Sequence, residues 1–385
     1  MLEMNENPSF ENVKELESLS IKVIADNETD PLSSSATDFG TITNEIQRAI
    51  IGHKEELDIS EFCCAAHGFS ILLARTLDGE SHTILFDAGP YGKIFTENAR
   101  KLDIDYEEIE AVVYHSGGLT SATSEIARSR LQSNLSPPLL DLPSSRPSRR
   151  GIRSHSSNDH IMVMNNPTLD ELESAGGQVL SSSIPHTICS NFYFISGEIP
   201  RHTSYELGMK NHLSYDEASK QWNEDPWIWD ERFLVARVKG KGLVVITGCG
   251  HAGIVNTLLH AQQPVKNKEE NCEMEGNVKY PIYLALGGFH LAGRDFEPRI
   301  QETVRDLKSL INPAYLIPAH CSGWRFKAAL EHQVIGEEKA EIEGNKKIDV
   351  NNTISNNNGN GAFAGRVIAS GVGKIFNITG VGKVF

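Results

Sequence analysis

The chain has 385 residues, a formal net charge of −15 and 39% hydrophobic residues. This length accommodates one large α/β domain or two ordinary ones, and the apolar share is sufficient for a sizeable core. The acidic balance argues against a nucleic-acid or anionic-membrane surface and favours a small-molecule substrate. The six cysteines have no zinc-finger or disulfide-framework spacing, and no apolar run approaches a membrane span. We therefore expect a cytoplasmic protein with reduced thiols, and its oligomeric state stays open.

The first part of the chain predicts strands that end in polar residues. Ser20–Asp26 predicts a first strand, and Asn27 follows its end, where such a residue often caps a turn. Residues 35–60 show no clear period and predict a surface excursion. Two apolar runs separated by LDGES, 68–74 and 82–87, predict a β-hairpin that ends at Asp87. The Asp87 carboxylate is a candidate either for a metal site or for binding a loop amide.

A strand that delivers a histidine into a glycine-rich turn follows the hairpin. The apolar run Ala111–Tyr114 leads into His115, and two glycines then open a helix predicted to reach about Leu131. A segment rich in Pro, Ser and Arg, residues 133–159, predicts an irregular loop.

The same order of strand, small residues and histidine appears three more times after residue 240. These histidines are His251 in GCGHAG, His290 in GGFHL and His320 in PAHCSG. Imidazole nitrogens are common zinc ligands, and catalytic zinc sites keep an open position for water. Four histidines at matched strand ends predict a metal site at one rim of a sheet, although each alone reads as a solvated loop residue. His67 also occupies a conspicuous turn, where a structural role is the default.

Six motifs in order carry a family resemblance: LFDAGP, VVYHSGGLTSA, SGEIPR, TGCGHAGIVNT, LGGFHL and PAHCSGW. Together they resemble the metallo-β-lactamase superfamily, and more narrowly its branch of dihydropterin–ribofuranosylaminobenzene-phosphate synthase-like proteins, with homologues of fungal type. The resemblance implies an α/β (α+β) fold, a four-layer αββα sandwich with a metal site at one edge. It covers about residues 20–330.

The resemblance also implies residue roles. Metal-ligand roles pass to His251 and His320, with His290 near a position where the superfamily places a bridging acid. Asp87 matches a position that supports the site, and Glu198 and Arg201 match a motif that faces substrate. We therefore predict metal ligands His115, His251, His290 and His320; catalytic residues Asp87 and Glu198; and substrate-binding residues Asn27, His67 and Arg201.

One departure from the superfamily's signature limits this assignment. The signature H-x-H-x-D-H is reduced here to its final histidine, because the chain passes from VVY directly to HSGGL. A two-metal centre cannot be assembled from the remaining family ligands. We expect one ion at most, zinc in the first place, with iron or manganese as alternatives.

Three hypotheses remain open for the function. The first is a metal-dependent hydrolase-like protein, or a synthase-like transferase, that acts on a small anionic or heteroaromatic molecule. The second is a non-catalytic paralogue that binds a small molecule in the old cleft. The third is a mis-spliced gene model of an active enzyme.

The chain is predicted to divide into four parts. Residues 1–19 form a flexible N-terminus and residues 20–332 a metallo-β-lactamase-like domain. Residues 333–362 form a low-complexity, Asn-rich insertion, and residues 363–385 contain strands that return to the domain.

Overall fold

The computed structural model describes residues 13–33, 39–52, 58–77, 80–116, 121–153, 160–262, 280–331, 363 and 366–380. The predicted 333–362 insertion therefore lies outside the described residues. The strands, in chain order, are β1 (Glu15–Leu16), β2 (Ser18–Ala25), β3 (Thr41–Thr43), β4 (Ser70–Leu77), β5 (Glu80–Phe86), β6 (Ile109–Val113), β7 (Leu139–Leu142), β8 (Arg149–Arg153), β9 (His160–Asn165), β10 (Gln178–Ser181), β11 (His186–Ile188), β12 (Tyr193–Ile195), β13 (His212–Asp216), β14 (Gln221–Glu224), β15 (Leu234–Val238), β16 (Gly242–Thr247), β17 (Ile282–Gly288), β18 (Tyr315–Ala319) and β19 (Ile375–Thr379). The α-helices are α1 (Glu45–Ile51), α2 (Gly92–Lys101), α3 (Ser121–Gln132), α4 (Leu169–Ser174), α5 (Ile254–Ala261), α6 (Ile300–Asp306) and α7 (Trp324–Glu331).

Two large mixed sheets and one small sheet contain these strands. The first large sheet has the order β11-β12-β15-β16-β17-β18, with β1 paired to β15. The second has the order β10-β7-β6-β5-β4-β2-β19-β3. The small sheet, β14-β13-β8-β9, is antiparallel throughout.

Consecutive apolar residues of a strand point to opposite faces of its sheet, so each large sheet buries both of its faces. In β16, Val244 and Ile246 belong to the cluster between the two sheets, whereas Leu243 and Val245 pack on the side of α5 to α7. The same period of two appears in β5, where Leu85 packs on the side of α2 and α3. Three apolar clusters thus separate four layers, which confirms the predicted αββα sandwich.

Two stretches that lacked a readable pattern contain regular structure. Within 35–60 the structure has β3 and the helix α1, whose N-cap Asn44 forms a capping box with Gln47. The predicted loop 133–159 includes β7, a buried four-residue strand that pairs in parallel with β6, and β8, which belongs to the small sheet. Such short strands carry too few residues to show a period, and they form because neighbouring strands pair with them.

The C-terminal strand β19 lies between β2 and β3 in the second sheet. It pairs antiparallel with both, with Phe376 opposite Ile21 and Ile42. The loop before it also contacts the N-terminal region, since the Gly373 N–H donates to the carbonyl of Val23. This end of the chain is therefore part of the sandwich and borders the segment that carries Asp26 and Asn27.

Candidate metal centre

The predicted histidines meet at one edge of the sandwich because their strands are adjacent and parallel. β16, β17 and β18 are consecutive parallel strands of the first sheet, and each is followed within a few residues by a histidine: His251, His290 and His320. In the second sheet, β5 and β6 are parallel neighbours that end just before Asp87 and His115. Carboxyl ends of adjacent parallel strands share one edge, which brings the four histidines into a single cavity.

Asp87 fixes the orientation of His115. Its Oδ1 accepts the main-chain N–H of His115 at 3.1 Å, and its Oδ2 lies 2.6 Å from the ring Nδ1. Both side chains are buried. Burial opposes a charge on His115, but the Asp87 carboxylate raises the pKa of the imidazole well above its usual value. With Nδ1 engaged by Asp87, Nε2 is the free ring nitrogen, and it is buried with no hydrogen-bond partner among the described residues.

Glu231 has the corresponding position beside His251. Its Oε1 accepts a hydrogen bond from the main-chain N–H of His251 at 2.8 Å. The same oxygen lies 2.8 Å from ring Nδ1 of His251, which is close enough for an ion pair but is not aligned for a hydrogen bond. Burial opposes both charges, yet their mutual attraction lowers the pKa of Glu231 to about 2 and contributes, with the Cys249 sulfur, to a His251 pKa of about 9. Sequence reasoning missed Glu231, because it lies 20 positions before the histidine that it contacts.

Asp26 and Asn27 hold His320 from the end of β2. The Asp26 carboxylate accepts the main-chain N–H of His320 at 2.7 Å, and the Asn27 Oδ1 lies 3.0 Å from its ring Nδ1. The Asn27 amide nitrogen is also 3.4 Å from Nδ1 of His67, whose ring lies 4.8 Å from that of His320. Asn27 therefore contacts two histidines of the cavity, and its predicted substrate contact remains a prediction.

His290 is half-buried and lies between two rings, with both of its ring nitrogens buried. Its ring centroid lies 4.7 Å from that of His251 and 4.3 Å from that of Phe296. Neither ring nitrogen has a hydrogen-bond partner among the described residues. Burial lowers the pKa of His290 to about 3, so the ring is neutral and one of its two nitrogens has a lone pair that can bind a metal ion.

Two cysteines lie among the histidines, and the sequence analysis assigned neither of them a role. Cys249 Sγ is 3.2 Å from Nε2 of His320, and the Cys321 thiol donates to the Cys249 carbonyl oxygen at 3.0 Å. Donor atoms within 4.8 Å of one another form two groups that share Cys249: His115–Cys249–His251 and Cys249–His320–Cys321. The available signal was local, since Cys249 comes two residues before His251 and Cys321 directly follows His320.

The cavity that these side chains line has a volume of about 440 Å³. The four histidines, His67 and both cysteines form its polar side, together with Asp87. The rest of the lining is largely apolar and includes Phe69, Tyr91, Ile152, Met209 and Ile228. A concave, mostly apolar site with a few converging polar groups is the usual form of a small-molecule pocket.

The small sheet covers this cavity and places Arg150 in its wall. Arg150 is buried, forms an ion pair with Asp230 and donates to the carbonyl oxygen of Ser116 at 3.1 Å. Its Nη1 lies 3.4 Å from Nε2 of His212, whose Nδ1 faces the Asp225 carbonyl at 2.8 Å. Burial, with the nearby Arg150 charge, lowers the pKa of His212 to about 3.

The structure places Glu198 and Arg201 away from the histidines. Glu198 is exposed and lines a second cavity of about 360 Å³ with Trp229, Asp230 and Arg232. The Arg201 guanidinium donates to the Trp227 carbonyl at 2.6 Å and stacks over the Trp229 ring. Neither residue is among those that line the histidine cavity. The roles that the resemblance implies for them remain predictions.

The donor set fits a divalent metal ion. Three buried imidazole nitrogens have no hydrogen-bond partner among the described residues: His115 Nε2 and both ring nitrogens of His290. Burying a polar atom without a partner costs folding free energy unless a ligand binds to it. Imidazole and thiolate donors suit zinc and similar ions. Carboxylates behind two of the histidines are the usual outer partners of metal-binding imidazoles.

Comparisons with known proteins support the fold. The chain matches no protein-family model. It is 26% identical, over 285 residues, to the 7,8-dihydropterin-6-methyl-4-(β-D-ribofuranosyl)-aminobenzene-5'-phosphate synthase of Methanocaldococcus jannaschii, covering 72% of this chain and 86% of the relative. An uncharacterized protein of the same organism is 30% identical over 131 residues, 34% of this chain and 40% of that protein.

A solved structure shows the same architecture. It is described as a metal-dependent hydrolase of the β-lactamase superfamily, and it superposes with a TM-score of 0.51 at 21% identity, covering 80% of this chain and 91% of that one. The chain therefore has the metallo-β-lactamase fold. The relative that matches over most of its length is the archaeal synthase, and this similarity agrees with the branch that the motifs indicated. In the described part of the chain, no helix has the length and apolar character needed to cross a membrane.

Proposed function

We propose that the protein is a metal-dependent hydrolase-like enzyme that acts on a small anionic or heteroaromatic molecule through a single metal ion, with zinc as the first candidate. The observation that carries the proposal is the convergence of His115, His251, His290 and His320 on one cavity. In both His115 and His251 a carboxylate oxygen lies within 2.8 Å of Nδ1, which leaves Nε2 as the coordinating atom.

The reaction class follows from the donor set. A bound divalent ion supplies Lewis acidity and a water of lowered pKa for attack on an ester, amide or phosphoester-like centre. The protein's own contribution is to hold the imidazoles rigidly through Asp87, Glu231 and Asn27. Apolar side chains such as Phe69, Met209 and Ile228 provide a wall for a flat ring.

Transferase chemistry belongs to the same proposal. The archaeal relative is named a synthase, so the inherited reaction can join two molecules rather than use water. The substrate pocket and metal ligands would be the same. Product analysis, with and without a candidate acceptor, separates the two outcomes.

A non-catalytic binding protein is the second candidate. The observation in its favour is the sequence VVYHSGG, which lacks the H-x-H-x-D part of the signature. In that case the cavity binds a small molecule while the histidines hold no metal. If a mis-set splice boundary in the gene model removed these residues, the true protein would be the enzyme; sequencing the transcript across the codons for Val113 to Gly118 distinguishes this from a true deletion.

The test is metal content and hydrolysis measured on matched proteins. The full chain is purified without chelator, and metal is measured beside the double variant His251→Ala/His320→Ala. We expect about one ion per chain in the parent and loss of that ion in the variant, with hydrolysis of an aryl ester or aryl phosphodiester only in the loaded parent. Unchanged metal content in the double variant would overturn the proposed site. Metal binding without turnover on any such substrate, but with tight binding of small heteroaromatic anions, would favour the binding protein.

A further inference from the structure

We propose that Cys249 is a metal ligand in this protein, and that its thiolate completes an N₂S donor set with His115 and His251. The inference rests on the proposed metal site and extends it, because it adds a sulfur ligand to the histidines. The three donor atoms lie within 4.8 Å of one another and line the histidine cavity.

The separation of these atoms suits a tetrahedral ion. Zinc–nitrogen bonds of about 2.0 Å and zinc–sulfur bonds of about 2.3 Å place neighbouring ligand atoms roughly 3.3–3.6 Å apart. Three donors that already lie within 4.8 Å need only small side-chain movements to reach that geometry. With His115, His251 and Cys249 as ligands, the fourth position faces the cavity, where His290, His320 or a water molecule can occupy it.

The two imidazoles are oriented for this arrangement. Asp87 lies 2.6 Å from Nδ1 of His115, and Glu231 lies 2.8 Å from Nδ1 of His251, so each ring presents Nε2 as its ligand atom. His115 is 6% exposed, and its Nε2 has no hydrogen-bond partner in the described structure. This buried atom lies in the donor group around Cys249 and has no well-aligned hydrogen bond, which is the arrangement expected of a metal ligand without its ion.

The second donor group is less suited to bind a metal ion, because one of its thiols is already hydrogen-bonded. In the group Cys249–His320–Cys321, the Cys321 thiol donates to the Cys249 carbonyl oxygen at 3.0 Å. His320 Nδ1 faces Asn27, and its Nε2 contacts Cys249 Sγ. The Cys321 thiol is thus occupied by a carbonyl oxygen, whereas His115 and His251 each have a carboxylate beside Nδ1, so Cys249 is assigned to the group that contains His115.

The backbone around Cys249 is built for close approach to His115. A Cβ at Gly248 would lie 2.0 Å from the His115 ring, so only glycine lets the two strand ends meet. Gly250 has a φ of +75° and turns the chain back toward His251. Cys249 is thereby held beside the one signature histidine that the chain retains, and its thiolate would supply a donor in place of those absent from VVYHSGG.

A thiolate ligand changes the metal preference and gives a direct optical signal. Sulfur donors favour zinc, cadmium and cobalt over manganese and magnesium. Cobalt(II) bound to a thiolate has an intense near-ultraviolet sulfur-to-metal charge-transfer band that an all-histidine site lacks.

The experiment is cobalt(II) titration of the full chain, followed by absorption spectroscopy and elemental analysis. We expect the parent to bind cobalt and show the charge-transfer band, and Cys249→Ser to lose the band with affinity reduced by at least about 10–100-fold. Cys321→Ser, which alters the neighbouring thiol, and Cys64→Ser, at an exposed position, should both keep it. Circular dichroism shows whether each variant is folded.

Each outcome decides a different claim. Two outcomes would contradict the role of Cys249: cobalt binding by the parent without the band, or a band that persists in folded Cys249→Ser. Neither outcome would contradict a metal site made of histidines. No cobalt binding by the parent overturns the proposed function as well. If Cys249→Ser does not fold, alkylation of the parent decides: zinc should protect Cys249 from iodoacetamide but leave Cys64 reactive, and equal labelling of Cys249 with and without zinc contradicts the inference.

Discussion

The Asp87 carboxylate contacts His115 twice, at the main-chain N–H and at ring Nδ1, across two adjacent parallel strands. Asp87 itself has a φ of +57°, a left-handed conformation that Asp tolerates better than most residues. His115 is thus held in the cavity by a residue of the neighbouring strand rather than by the residues just before it.

Asp87→Asn should weaken metal binding while leaving the fold intact. The amide nitrogen of Asn would donate to His115 Nδ1, so the proton would move to Nε2 and remove the ligand lone pair. Loss of such an outer partner reduces metal affinity by about 10–100-fold. Isothermal titration with zinc measures the effect, and Asp170→Asn on the exposed first turn of α4 is the control. Equal affinity in the two variants would mean that the Asp87–His115 contact does not orient a ligand.

Gly248→Ala should disrupt the site through sterics alone. The added Cβ would lie 2.0 Å from the buried His115 ring, so the ring would have to leave its position beside Asp87. We expect loss of metal retention and a lower free energy of unfolding, by about 1–3 kcal/mol as for overpacking in a core. Gly52→Ala, at the end of α1 with a φ of −75°, is the matched control. Full metal content in Gly248→Ala would show that His115 is not a required ligand.

The small sheet depends on the buried ion pair between Arg150 and Asp230. Arg150→Met leaves the Asp230 carboxylate buried without its partner, which should reduce the free energy of unfolding by about 3–5 kcal/mol. Adding Asp230→Asn removes the uncompensated charge and should restore part of the loss. Urea unfolding of the parent, both single variants and the double variant gives the coupling energy. Strictly additive effects would contradict a direct interaction.

Acid should destabilise the fold through His212. Its pKa of about 3 in the folded chain lies below the ordinary 6.5, so the unfolded chain binds the proton first as the pH falls. The stabilising contribution is complete above about pH 6.5 and is lost toward pH 3, with about 2 kcal/mol lost at pH 5. His212→Asn, which keeps a donor to the Asp225 carbonyl, should flatten this part of the stability–pH curve. His82→Asn, at the half-buried pair with Glu110, is the control, and identical slopes in parent and His212→Asn would refute the assignment.

The main strands and the histidine positions were predictable from local patterns, whereas the four-layer sandwich was what the family resemblance implied. Apolar runs with a period of two mark β5 and β16, and glycines after the strands mark the turns that carry His115 and His251. The order of the motifs carried the family resemblance, and that resemblance implied that these strand ends meet at one edge of the sandwich. In contrast, β7 has only four residues and is buried because β6 and β10 pair with it, which no local pattern reveals.

The partners of the histidines were largely beyond sequence reasoning. Glu231 and Asp26 contact His251 and His320 from other elements, and the distance between them in the chain carries no signal. Cys249 stands in the motif GCGH, but the cysteines lack zinc-finger spacing, so no metal-ligand role was predicted for it. Its position among the histidine side chains became apparent only from the structure. Arg150 lay in a stretch predicted to be an irregular loop, although it forms part of the cavity wall.

The number of metal ions per chain decides whether the histidine cavity is a metal centre. The chain is expressed as it stands, purified without chelator and measured by elemental analysis, with His251→Ala/His320→Ala as the reference. We expect about one zinc, iron or manganese per parent chain and none in the reference. A parent chain that holds no metal, even after incubation with excess zinc at pH 8, would contradict it and identify the cavity as a binding pocket without a metal.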